Sequence, residues 1–101
     1  MTFKGEDELK KRAHIQMHGD VDGVGLRFLV KQKAQSLSLK GYCRQNELQE
    51  IIIDIEGDLN QLDEFIGYIQ KGVSPLSKQN AFEIEIFDHL VGYTKMETDI
   101  V

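Results

Sequence analysis

Apolar and polar residues alternate from Ala13 to His18, with Ala13, Ile15 and Met17 on one side and His14, Gln16 and His18 on the other. That period of two predicts a half-buried strand. The period then lengthens: Leu26, Leu29, Val30, Ala34 and Leu37 recur at helical spacing, predicting a first helix over about Val24–Leu37 with Lys31, Gln32, Gln35 and Ser36 outward. Ser38 interrupts it, and Leu39–Arg44 reads as a second strand. After a polar turn over Gln45–Gln49, Glu50–Glu56 is dominated by Ile51, Ile52, Ile53 and Ile55, a well-buried third strand that Gly57 is expected to end. Leu59, Leu62, Phe65, Ile66 and Ile69 return to helical spacing. Asp58 or Asn60 can cap this second helix, with Gly72 as its stop and Pro75 barring continuation. Phe82, Ile84 and Ile86, alternating with Glu83, Glu85 and Phe87, predict a fourth strand. A loop around His89–Gly92 leads to a weaker final strand over Lys95–Val101.

The element order is β-α-β-β-α-β with a possible fifth strand. Right-handed crossovers put both helices on one face of an antiparallel sheet of four to five strands, the α+β sandwich called ferredoxin-like. Residues 1–11 carry Glu6, Asp7, Glu8, Lys10 and Lys11 and read as a flexible leader, which leaves 12–101 as one domain. A chain of 101 residues holds one modest core.

The charge is −5, from 17 acidic against 12 basic residues. That balance disfavours nucleic acid and anionic membrane as partners, which both need a basic surface. No apolar run approaches bilayer length, and the polar start is no secretory signal. The single cysteine, Cys43, has no internal partner and fits a buried structural role in a reducing cytoplasm. His14 and His18 share a strand face, yet no carboxylate or cysteine is placed by sequence to complete a metal site. Asp20-Val21-Asp22-Gly23 imitates the start of a calcium loop, but Leu26 and Arg27 fall where its ligands belong.

The chemistry concentrates where the first strand gives way to the first helix, in Gly19-Asp20-Val21-Asp22-Gly23-Val24-Gly25-Leu26-Arg27. Glycines let a backbone approach a ligand closely. The first helical turn directs amides and partial positive charge outward, and Arg27 adds a guanidinium whose donors match a phosphate or carboxylate. Together they make a candidate oxyanion cradle, against the plainer reading of a tight turn with a surface arginine. Asp20 and Asp22 complicate it. A carboxylate about 4 Å from a bound anion opposes each unit of its charge by about 1 kcal/mol in water and about 4 at an intermediate dielectric. Either these side chains point away, or one of them pairs with Arg27.

The stretch resembles the acylphosphatase signature Gly-x-Val-Gln-Gly-Val-Gly-Phe-Arg, with Asp22 for its glutamine and Leu26 for its phenylalanine. Further similarity follows in Leu37-Ser38-Leu39-Lys40-Gly41-Tyr42, Ile51 to Gly57 and Gly72-Val73-Ser74-Pro75. The resemblance implies the ferredoxin-like fold and hydrolysis of the carboxyl–phosphate bond of acyl phosphates without metal or cofactor. It implies Arg27 as the phosphate clamp, and the amides of Val21, Asp22, Gly23, Val24, Gly25 and Leu26 as the cradle. A small acyl phosphate is then the expected partner of a cytoplasmic monomer, with inorganic phosphate or sulfate as a product-like ligand.

In that family an asparagine orients the attacking water, in a motif Gly-Trp-Val-Arg-Asn. Laid without a gap over Gly41-Tyr42-Cys43-Arg44, the motif puts its asparagine on Gln45; Asn46 is one step further on. Three outcomes stay open. Gln45 substitutes with a longer amide; a bulge brings in Asn46; or neither serves and the domain binds anions while catalysing little. The expectation leans to Asn46. The family's Asp-Gly turn is replaced by Leu48-Gln49, so this loop has been rebuilt.

Overall fold

The computed structural model describes residues 9–18, 23–71 and 81–99. The calls on the leader up to residue 8, on Gly19 to Asp22, on Gly72 and Pro75, and on the last two residues lie outside that set. Five strands and two helices follow in order: β1 (Lys10–His18), α1 (Gly23–Ser36), β2 (Lys40–Gln45), β3 (Ile51–Asp58), α2 (Leu59–Gln70), β4 (Ala81–Phe87) and β5 (Met96–Thr98). The sheet order is β4-β1-β3-β2-β5. This is the ferredoxin-like arrangement the period changes predict. β1 begins at Lys10, so the last two residues assigned to the leader pair with β3, Lys10 opposite Asp58 and Lys11 opposite Gly57. None of the described helices is long and apolar enough to cross a membrane.

Alternation decides the core. Ala13, Ile15 and Met17 of β1, Cys43 of β2 and Ile51, Ile53 and Ile55 of β3 are fully covered. They meet Leu26, Val30 and Ala34 of α1 and Leu62, Phe65 and Ile69 of α2 in one cluster, so both helices cover the same face. The first helix ends by a specific device. Ser38 takes a left-handed φ of 59°, while Leu39 N–H donates to the Ala34 carbonyl at 2.9 Å and Ser38 N–H to that of Gln35 at 3.1 Å. These are the paired bonds of a Schellman turn, which accounts for the interruption at that serine.

Gly57 does not end β3, which runs on to Asp58. Gly57 is there for space: a Cβ would lie 2.6 Å from Cδ2 of Leu39. Asp58 stands at the N-cap of α2 without a side-chain cap bond; the Leu59 amide donates instead to the Leu9 carbonyl at 2.9 Å.

The second correction concerns sheet direction. β1, β3, β2 and β4 pair antiparallel, but β5 joins β2 parallel, with Gly41 opposite Met96 and Cys43 opposite Thr98. The chain leaves β4 at one edge and must reach the other. It does so over the face without helices, held by two buried acids of β3. Glu56, 8% exposed, accepts the amides of Val91, Gly92 and Tyr93 at 2.7, 2.8 and 2.9 Å. Asp54, 2% exposed, meets Arg12 at 2.7 Å, His14 at 2.9 Å and the Tyr93 hydroxyl. Buried carboxylates persist when their oxygens are filled this way. Burial, with that bond to Asp54, pushes the Tyr93 phenol above its ordinary pKa.

Two backbone positions test this description. Gly41 has a φ of +149°, and a Cβ there would sit 1.9 Å from the Asp54 carbonyl oxygen. Gly41→Ala is expected to cost roughly 3 kcal/mol or more, whereas Ser38→Gly should stabilise by about 0.5–1 kcal/mol by relieving a left-handed serine. Urea unfolding of both variants measures the two signs.

Candidate active site

One end of the sheet collects the candidate residues that are described. β1 ends there at His18, α1 begins there at Gly23, and β2 ends there at Gln45. Because α1 starts at Gly23, the amides of Gly23, Val24, Gly25 and Leu26 belong to its first turn, where the helix's partial positive charge is concentrated. Leu26 sends its side chain into the core and is 2% exposed. Arg27 follows on the next step of the turn, with a side chain only 11% exposed.

The Arg27 guanidinium meets an acid. Its Nη1 donates to Oδ1 of Asp99 in an ion pair. The other oxygen of that carboxylate accepts the Gln45 backbone N–H at 3.2 Å. The branch in which Asp20 or Asp22 pairs with Arg27 lies outside the described residues; the aspartate seen on Arg27 is Asp99, from just past β5. Burial pushes the Asp99 carboxyl up, yet the Gln45 amide and Arg27 outweigh it and hold it below the ordinary aspartate range. The same charges reach Cys43. Burial drives its thiol up to about 12, with Arg27 pulling down and Asp99 pushing up. Cys43 is fully covered, so it acts as a small apolar core residue.

The two candidate amides part company. β2 pairs with β3 without a bulge, from Lys40 opposite Glu56 to Gln45 opposite Ile51. Alternation therefore puts Gln45 on the Cys43 side of the strand, the side of Arg27. Its Nε2 donates to the Gln49 carbonyl at 3.3 Å. Asn46 is spent on the hairpin loop: Oδ1 accepts the amides of Leu48 and Glu50, each at 2.9 Å, and Nδ2 donates to Glu50 Oε1 at 2.9 Å. Gln49 takes a φ of 68°, the left-handed position that a glycine would otherwise fill. Asn46 thus closes the loop from the helix-free face.

Glu50 ties that face together. It accepts Gln16 Nε2 at 3.0 Å and lies 2.6 Å from His18 Nδ1, whose Nε2 is 3.2 Å from Glu83. The Asn46 bond above all, helped by Gln16 and His18 against some desolvation, lowers the Glu50 pKa. His14 and His18 therefore serve as partners of β3 and loop acids.

Asp99 is the residue that sequence reasoning missed. It sits just past the shortest strand, and nothing local marks it. Asp54 and Glu56 did carry a signal, since two acids inside an isoleucine-rich strand demand buried partners.

The acylphosphatase family profile matches residues 13–96. An acylphosphatase of Bacillus licheniformis is 36% identical over 81 residues, 80% of this chain and 89% of its own. One from Caldanaerobacter subterraneus subsp. tengcongensis is 38% identical over 65 residues, 64% of this chain and 72% of its own. The crystal structure of the Bacillus subtilis acylphosphatase superposes with a TM-score of 0.80 at 27% identity, covering 89% of this chain and 99% of that one. Shared sequence across nearly the whole domain, on a shared architecture, is the mark of common descent: this chain belongs to the acylphosphatase family.

Proposed function

We propose that this protein hydrolyses acyl phosphates to a carboxylate and inorganic phosphate, with Arg27 as the phosphate clamp. The observation that carries the reading is the position of that guanidinium. Its side chain is 11% exposed, it follows the first-turn amides of α1, and the aspartate it meets also holds the backbone N–H of Gln45 at the end of β2. The amides from Val21 to Leu26 complete the cradle. Water attacks phosphorus, the bond from phosphorus to the acyl oxygen breaks, and the carboxylate departs with the electron pair. The proton from water ends on phosphate or in solvent. Such a leaving group asks little covalent help of the protein, so positioning and charge stabilisation suffice. Gln45 is the amide we assign to the water. What supports it over Asn46 is alternation, together with the three bonds that hold the Asn46 amide in its own loop. A longer side chain positions water less firmly, and turnover below that of an asparagine site follows.

Purified protein is expected to hydrolyse benzoyl phosphate at the same rate with and without a chelator, and Arg27→Ala to lower kcat/KM about 10³-fold. A rate at background for the parent protein, or an undiminished one for the variant, defeats the assignment. The paired amides separate by what each loses. Gln45→Ala should cut kcat about 10²-fold at nearly unchanged stability. Asn46→Ala should keep kcat within about threefold while costing about 1–2 kcal/mol in urea unfolding, since it leaves loop amides unpartnered. The reverse pattern would move the water to Asn46.

A further inference from the structure

Asp99 joins three elements at one carboxylate. It follows β5, its Oδ1 meets Nη1 of Arg27 on α1, and its Oδ2 holds the Gln45 N–H at the end of β2. An arginine side chain has four torsions before its charge, and the Arg27 side chain is 11% exposed. A cation so covered needs an opposite charge close by. Asp99 supplies one, and a backbone amide holds its second oxygen at 3.2 Å. We infer that Asp99 is a positioning residue for the reaction: it aims the Arg27 guanidinium at the cradle without itself touching substrate. The inference rests on the reading of Arg27 as the phosphate clamp.

The opposite role deserves weighing, since a carboxylate on a phosphate-binding arginine can also compete with phosphate. The bonding favours positioning. A competitor would take the two-pronged face of the guanidinium with both oxygens, the arrangement in which arginine binds carboxylate and phosphate most strongly. Asp99 gives Arg27 one oxygen and the β2 amide the other. It therefore holds the planar group through a single oxygen rather than with the two-pronged grip of a competitor.

The experiment compares full-length Asp99→Asn, Asp99→Glu and Arg27→Ala, with the double variant Arg27→Ala/Asp99→Asn. Benzoyl phosphate kinetics give the rates, and titration with inorganic phosphate followed by backbone amide shifts gives the affinity. Asp99→Asn keeps size and one acceptor oxygen, so the amide spectrum is expected to retain its dispersion while kcat/KM falls roughly tenfold to a hundredfold. Phosphate affinity should fall as well, and Asp99→Glu should recover part of both. In the Arg27→Ala background, adding Asp99→Asn should change phosphate binding less than twofold, because a residue that acts through Arg27 has nothing left to act through. Three results overturn the inference: an unchanged kcat/KM in Asp99→Asn, tighter phosphate with faster turnover, or an equal loss with and without Arg27. If Arg27→Ala alone keeps the parent rate, the clamp reading fails first, and that result is distinct from the other three.

Discussion

Glu56 grips three consecutive amides of the β4–β5 connection, and the far end of the sheet depends on where that grip sends the chain. Three N–H bonds on one buried carboxylate fix the crossing over the helix-free face. Tyr93, pinned to Asp54 and set edge-on to Tyr42 with centroids 6.0 Å apart, continues the track. The Gly41 amide then catches the Lys95 carbonyl at 3.0 Å. From that point β5 runs beside β2 in the same direction and delivers Asp99 to Gln45 and Arg27. A charge buried at one end of β3 thus helps to bring Asp99, Gln45 and Arg27 together at the other.

The two faces of the sheet divide the labour by chemistry. On the helical face, apolar side chains of β1, β2 and β3 meet the stripes of α1 and α2, an association that needs area more than direction. On the open face, Asp54, Glu56 and Glu50 replace area with directed bonds to Arg12, His14, His18, Tyr93 and loop amides. Directed bonds constrain geometry more tightly, which suits the face that must route a connection and close a loop. The closing loop shows this directly: Asn46 and Glu50 hold Gln49 in a left-handed turn that the replaced Asp-Gly pair would have made by backbone preference alone.

An acidic chain that handles an anion must keep its cation away from bulk screening. Among the described residues, Arg27 has a mostly covered side chain and an anchored counter-charge in Asp99. The Asp99 carboxylate, kept below the ordinary aspartate range by the Gln45 amide and by Arg27, faces the guanidinium as an anion.

Much of the fold was legible from residue order. The change from period two to period 3.6 marked both helices, alternation named the core side of β1, and the isoleucine run marked β3 as buried. The glycine-rich signature marked the start of α1 and Arg27. These features are local: each is encoded by neighbours within a turn or a strand, so a single pass along the chain finds them. Three matters were decided only in three dimensions. The direction of β5 depended on buried carboxylates reaching amides some thirty-five residues away. The separate fates of Gln45 and Asn46 depended on an unbroken β2–β3 register. The partner of Arg27 lay 72 positions along the chain. Sequence pattern reports what a residue's neighbours favour; which distant charge completes a buried ion pair is set by how the sheet is threaded, and that exists only once the chain has folded.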